Sequence, residues 1–171
     1  GSHDAGTLWH SDLCYLPRPS HLTFLYAQEV PKKDGRSYGA TQFAGMAAAF
    51  AELDESLQDQ LMTLKAAHGY RFMWNKKAKL FGKRPELSEE ALAERFPPDA
   101  VHPVVRTHPV TGRKCLYVNE GYTRRILGLA EPEAEALLNQ LLEHATQERF
   151  IYRHSWEVGD ILVWDNCAVQ H

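Results

Sequence analysis

The chain of 171 residues is 44% apolar and 24% charged, the balance of one soluble globular domain long enough to bury a core, so 1–171 is expected to be a single domain. A net charge of -3 offers no general attraction to nucleic acid or to an anionic membrane surface, and a small-molecule substrate fits better. No stretch approaches the run of about 18 apolar residues that spans a bilayer, and no basic-then-apolar leader opens the chain, so a cytoplasmic location is expected.

In chain order, His21 to Glu29 alternates Leu22, Phe24 and Tyr26 with Thr23, Leu25 and Ala27, a strand closed by Pro31 and a polar Lys32-Lys33-Asp34-Gly35 turn. Ala44 to Leu53 is rich in helix formers, and Asp54 offers an N-cap to a second helix in which Leu57, Leu61 and Leu64 recur at helical spacing. Residues 69–100 show no clear period, hold the basic run Lys76, Lys77, Lys79, Lys83 and Arg84, and include one short helix capped by Ser88; a lid or insertion is expected. Val104 to Thr107 and Cys115 to Asn119 flank a Pro109-Val110-Thr111-Gly112-Arg113 turn as a hairpin. Pro132 opens a helix striped by Leu137, Leu138, Leu141 and Leu142. Strands over Phe150 to Trp156, Ile161 to Asp165 and the last residues through His171 complete a mainly β chain with inserted helices, for which a jelly-roll double sheet is the expected architecture. The chain lacks an initiator Met, Gly1-Ser2-His3 is compatible with a tag scar, and His171 directly follows a strand-like run, so sequence is expected to be missing at both ends.

Trp9-His10-Ser11-Asp12 contains a His-x-Asp pair, which on extended backbone places both side chains on one face. One distant histidine would complete a two-His, one-carboxylate triad that leaves half of an octahedral metal open, and His171 is the natural third member. The Cys14, Cys115 and Cys167 set is odd in number and widely spaced, so neither a disulfide framework nor a zinc ribbon is indicated. Cys14 and Cys167 are read as small buried packing residues, His102 and His108 as strand residues rather than a zinc pair, and Asp165 and Asn166 as scaffolding.

Trp9-His10-Ser11-Asp12, Gly39-Ala40-Thr41, the run from His102 to Gly112, Asn119-Glu120-Gly121-Tyr122 and Trp164-Asp165-Asn166 shortly before His171 together resemble the taurine and dichlorophenoxyacetate dioxygenase family, in order and over nearly the whole chain. The resemblance implies a double-stranded β-helix core and an Fe(II)- and 2-oxoglutarate-dependent dioxygenase that consumes O2 and releases succinate and CO2. It implies His10, Asp12 and His171 as iron ligands and catalytic centre, Thr41 as a contact to a 2-oxoglutarate carboxylate, and Leu13, Tyr15 and Tyr122 as substrate-pocket residues. The expected substrate is a small anionic organic acid, a sulfonate or aryloxyalkanoate, with hydroxylation beside a heteroatom releasing sulfite or a phenol. The family's arginines for the distal 2-oxoglutarate carboxylate and for an anionic substrate lie beyond the second iron-binding histidine, and Cys167 stands where the family commonly has arginine. Two other readings stay open at this point: an inactive jelly-roll ligand-binding domain, and a related oxygenase acting on a macromolecule through the basic run. A homo-oligomer assembled through the inserted helices is compatible with the sequence.

Overall fold

The computed structural model describes residues 6–171, so the Gly1-Ser2-His3 segment lies outside the described residues. The alternating run forms strand β1, Leu22–Tyr26. The polar stretch after it is a small hairpin rather than a simple turn: Lys32–Lys33 (β2) pairs with Arg36–Ser37 (β3) across Asp34-Gly35, both at positive φ. Thr41–Gly45 then forms strand β4, and the helix expected from Ala44 starts two residues later as α1, Met46–Ala51. Ala44 favours helix intrinsically, but pairing on both edges of β4 overrides that weak preference. Helix α2, Glu55–Thr63, follows Asp54 as expected, although the Asp54 side chain makes no capping bond and Gln58 Nε2 instead donates to the Leu53 carbonyl at 2.8 Å.

Strand β5, Lys65–His68, gives way to helix α3, Tyr70–Phe81, and α4, Glu89–Arg95, so the aperiodic stretch holds a twelve-residue helix that its pattern did not announce. Gly82 closes α3 in the left-handed conformation at φ 61°. Asn75 then exchanges two hydrogen bonds with the Leu87 backbone, at 2.9 and 3.0 Å, which ties α3 to the segment leading into α4. Ser88 caps α4 as expected, its Oγ accepting the Ala91 N–H at 3.2 Å. Strand β6 is Ala100–Pro103, and the expected hairpin is β7, Val105–Thr107, paired with β8, Lys114–Leu116. Strand β9, Thr123–Leu127, precedes α5, Glu131–Ala145, in which Pro132 is the second rather than the first helical residue. A 3-10 turn at Glu148–Phe150 leads to β10, Ile151–His154, then β11, Ile161–Asp165, and β12, Val169–Gln170.

Antiparallel pairing runs β1 with β11, β6-β5-β9, and β10-β4-β12, and among the described residues no sheet closes into a barrel. The core lies between α5, α1 and the β9 side: Leu137, Leu138 and Leu141 meet Met46, Phe50, Leu116 and Ile126. Leu142, expected in the stripe, is only partly buried, because Ala134, Leu137, Leu138, Leu141 and Ala145 already form the inward row. Fully burying a leucine contributes about 1.5–3 kcal/mol, so this row anchors the layer against which the site-bearing strands are built.

Candidate metal centre

The loop Trp9–Asp12 is held in place by backbone from the other end of the chain. His10 and His171 exchange both N–H···O=C bonds, at 2.9 and 2.8 Å, as directly opposed residues of an antiparallel pair do. Their side chains therefore emerge on one side, with ring centroids 4.3 Å apart. His171 directly follows β12, which is paired to β4, so His10, His171 and Thr41 sit on three neighbouring extended segments. The Ser11 hydroxyl donates to the Val169 carbonyl at 3.0 Å and the Gly121 N–H to the Trp9 carbonyl at 2.9 Å. Only glycine fits easily at 121, since a Cβ there would lie 3.3 Å from both the His10 Cβ and the Trp9 carbonyl oxygen.

Asp12 is oriented by Thr23 of β1 and by Asn166 of the turn after β11. Its N–H donates to Asn166 Oδ1 at 3.0 Å, and its Oδ2 accepts the Thr23 hydroxyl at 2.7 Å, while Asn166 Nδ2 donates to Thr23 Oγ1 at 2.8 Å. That leaves Asp12 Oδ1 directed at the two rings, 3.7 Å from His10 Nε2 and 3.8 Å from His171 Nε2. The His10 Nδ1–H is occupied by the Leu8 carbonyl at 2.9 Å, so its Nε2 turns a lone pair toward the carboxylate oxygen. Burial, with the neighbouring His10, pushes His171 down to about 4, so at neutral pH it is an uncharged imidazole. Imidazole and carboxylate lone pairs facing one another beyond hydrogen-bond distance repel unless a cation lies between them. Donors each about 2 Å from one ion lie about 3–4 Å apart, and these three donor atoms all lie within 4.8 Å of one another, so the set fits a divalent metal.

A cleft of 630 Å³ opens beside this cluster, lined by Trp9, His10, Leu25, Thr41, Gln42 and His171 among others. Leu25 lines it and Thr23 reaches Asp12, so two positions of β1 that point to one face are turned toward the site, although only Thr23 of the strand is partly buried. Thr41 Oγ1 accepts the indole N–H of Trp156 at 2.9 Å, which leaves its own proton to donate into the cleft.

Of the expected substrate residues, Tyr15 and Tyr122 pack together beside His10 and Leu13 stands on the exposed turn after Asp12. Tyr122 lies beside His10 with centroids 6.0 Å apart, Tyr15 lies 5.0 Å from Tyr122, and Leu13 is 41% exposed at φ 56° on the turn after Asp12. Burial pushes the phenols of Tyr15 and Tyr122 up, so both stay neutral. Sequence reasoning missed Tyr70, the first residue of α3, which packs at 5.0 Å against Tyr15 and 6.0 Å from Tyr122. It also missed Thr23, a lone hydroxyl in an apolar run, which was the available signal. His102 bonds the Leu16 carbonyl and His108 bonds Asp165, so each histidine has a separate structural partner.

The model of the taurine catabolism dioxygenase TauD, TfdA family matches residues 1–171. The chain belongs to this family. It is 39% identical over 167 residues to the alpha-ketoglutarate-dependent 2,4-dichlorophenoxyacetate dioxygenase of Cupriavidus pinatubonensis, covering 98% of this chain and 54% of that protein. With the alpha-ketoglutarate-dependent sulfonate dioxygenase of Saccharomyces cerevisiae it shares 36% identity over 166 residues, 95% of this chain and 37% of the relative. The crystal structure of AAD-2 in complex with Mn(II) and N-oxalylglycine superimposes with a TM-score of 0.79 at 33% identity, over 95% of this chain and 59% of that one. A taurine dioxygenase from Burkholderia xenovorans gives a TM-score of 0.74 at 31% identity, covering 96% of this chain and 51% of that one. The fold is thus the mainly β jelly roll with inserted helices that the sequence led us to expect. The TauD-family chain spans about half the length of the 2,4-dichlorophenoxyacetate dioxygenases it matches, 54% and 52%.

Proposed function

We propose that this TauD-family chain carries the metal centre of an Fe(II)- and 2-oxoglutarate-dependent dioxygenase that hydroxylates a small anionic organic substrate, a sulfonate, an aryloxyalkanoate or a similar acid. The observation that carries the reading is the convergence of His10, Asp12 and His171 beside a cleft that His10, His171 and Thr41 line. Relatives named for 2,4-dichlorophenoxyacetate, phenoxypropionate and sulfonate support the substrate range. N-oxalylglycine, bound with Mn(II) in AAD-2, has the shape of 2-oxoglutarate and supports the co-substrate. Bound ferrous iron supplies the redox chemistry: O2 and 2-oxoglutarate give succinate and CO2, and the second oxygen atom enters a substrate C–H bond.

The residues of the chain divide the remaining work. His10, Asp12 and His171 would hold the metal, and a two-histidine, one-carboxylate set would leave it positions for co-substrate and O2. Thr23 and Asn166 keep Asp12 Oδ2 engaged so that Oδ1 stays directed at the metal position. Thr41, fixed by Trp156, donates to a carboxylate in the cleft. Leu13, Tyr15 and Tyr122 line the substrate side with Tyr70, and this ring cluster favours the aryloxy end of the range. Residues 69–100, built as α3 and α4, act as its cover through Tyr70 and Phe96, whose rings stand 4.8 Å apart.

Three buried, unpaired thiols suit a reducing compartment, and the cytoplasm is the location we favour. No helix among the described residues is long and apolar enough to cross a membrane.

Incubation of the full-length protein with iron(II), 2-oxoglutarate, O2 and a panel of sulfonates and aryloxyalkanoates tests the proposal. Succinate and oxidised product should form in equal amounts with at least one acid. Folded, iron-loaded protein that forms no succinate with or without these acids contradicts it.

A further inference from the structure

A second cluster of ligating groups lies at the meeting of β1, β11 and the turn that follows β11. Asp165, the last residue of β11, has its Oδ2 3.1 Å from His21 Nε2 and 2.8 Å from His108 Nε2, and its Oδ1 accepts the Cys167 N–H at 2.7 Å. The two histidines are not equivalent. His108 Nδ1 accepts the backbone N–H groups of Val110 and Thr111 at 3.2 and 3.1 Å, so its proton sits on Nε2 and is donated to Asp165. That ring is 7% exposed and serves as a fixed support behind the carboxylate, the arrangement commonly found around ligating carboxylates. The His21 ring, 47% exposed, has Asp165 as its one hydrogen-bond partner among the described residues and can turn a lone pair inward, while the His21 carbonyl accepts the Asn166 N–H at 2.8 Å.

One ligand atom each from His21, Asp165 and Cys167 lies within 4.8 Å of the other two. The thiol is buried and the imidazole faces solvent, so the cluster is closed on the protein side and open to water on the other. Between Asp165 and Cys167, Asn166 reaches the other way to Asp12 and Thr23, so the two clusters are separate in their donors but share one turn.

We propose that His21, Asp165 and Cys167 form a second metal site, for a zinc-class divalent ion, with water in the fourth position. Imidazole nitrogen, carboxylate oxygen and thiolate sulfur together suit a borderline ion such as Zn(II) better than Mg(II) or Ca(II), which take oxygen ligands. Binding is a ligation without redox change: the Cys167 thiol releases its proton to solvent and the thiolate pair is shared with the ion. The occupied site ties the start of β1 to the turn that leads to His171, and thereby stiffens the segment that delivers a ligand to the first centre. The proposal stands on this cluster alone and does not depend on the dioxygenase reading.

Anaerobic titration of the full-length, reduced protein with Co(II), followed by absorption, tests it. The parent should bind two equivalents and develop a near-ultraviolet thiolate-to-cobalt charge-transfer band. Cys167→Ser should lose that band and one equivalent, and His21→Ala, an exposed position with little bearing on folding, should weaken the same event at least tenfold. A His10→Ala, His171→Ala double variant, confirmed folded by circular dichroism, should keep the band while losing the other equivalent. A parent that binds Co(II) without a thiolate band, or a Cys167→Ser protein that keeps the band, overturns the proposal and leaves His21 and His108 as hydrogen-bond supports for Asp165.

Discussion

Thr23 shows how much a single hydroxyl can be asked to do at this site. It donates to Asp12 Oδ2 at 2.7 Å and accepts from Asn166 Nδ2 at 2.8 Å, so one oxygen joins the carboxylate to the strand pair that carries it. Replacing such an outer partner commonly lowers metal affinity by about 10- to 100-fold. Thr23→Val keeps the shape and the strand preference, and should show a loss of that size in a Mn(II) titration with an unchanged circular dichroism spectrum. Unaltered affinity would mean that Asn166 alone orients Asp12.

His68 makes a second residue-scale case. It is fully buried in β5, its Nδ1 is 3.2 Å from the Thr123 hydroxyl, and burial, aided by His102 and Arg106, pushes it from 6.5 down to about 3. The unfolded chain binds this proton below about pH 6.5 and the folded chain does not until about pH 3, so stability falls as the pH drops through that window. One proton corresponds to about 1.4 kcal/mol per pH unit. His68→Gln should lose stability between pH 5.5 and pH 4, a range set by the midpoint of that window, more slowly than the parent by about this slope, as read from urea midpoints. Parallel pH profiles would contradict a buried neutral His68.

Residues of a chemically restricted pattern stood out in the sequence: His10, Asp12 and His171 were singled out there, and the fold brings their donor atoms within 4.8 Å of one another. Thr23, Gly121 and Tyr70 were not, because their roles arise from the β1–β11 register, a 3.3 Å backbone approach and the placement of α3.

Elements with local signals were legible on the same principle. Strand β1 has alternation, α4 has its Ser88 cap, α5 has a leucine stripe behind Pro132, and the β7–β8 hairpin has a Pro-Val-Thr-Gly turn. Strands β4, β5, β6 and β9 escaped notice because their stability comes from partners distant in sequence. Lys65–His68 reads as the tail of a helix until β6 and β9 pair with its two edges. Helix α3 was hidden because only Met73 and Ala78 of its twelve residues are buried, too few to write an apolar stripe. For α5 the stripe carries measurable weight. Leu141 is fully buried in the main core, and Leu141→Ala should cost about 2–5 kcal/mol, against a smaller loss for the partly buried Leu142. Chemical denaturation of both variants checks this; equal losses would place the stripe one position further along.

At the scale of the whole molecule, the candidate site joins segments that are far apart in sequence. His10 and His171 are joined by two backbone bonds across nearly the full sequence, and β12 reaches them through β4 and α1, where the Met46 N–H donates to the Ala168 carbonyl at 2.9 Å. A metal bound by this set would therefore report on the folded arrangement, because an ion that binds only the folded state stabilises it. Family membership places this architecture in the TauD, TfdA family, while the proposed roles of the individual side chains rest on the geometry described above.

Anaerobic addition of iron(II) and 2-oxoglutarate to the full-length protein, with His171→Ala as control, tests that assignment most directly. The account predicts a visible metal-to-ligand charge-transfer band in the parent that is lost in the variant. A well-folded parent without the band, or a variant that retains it, would contradict the assignment of His10, Asp12 and His171 as the centre at which 2-oxoglutarate meets iron.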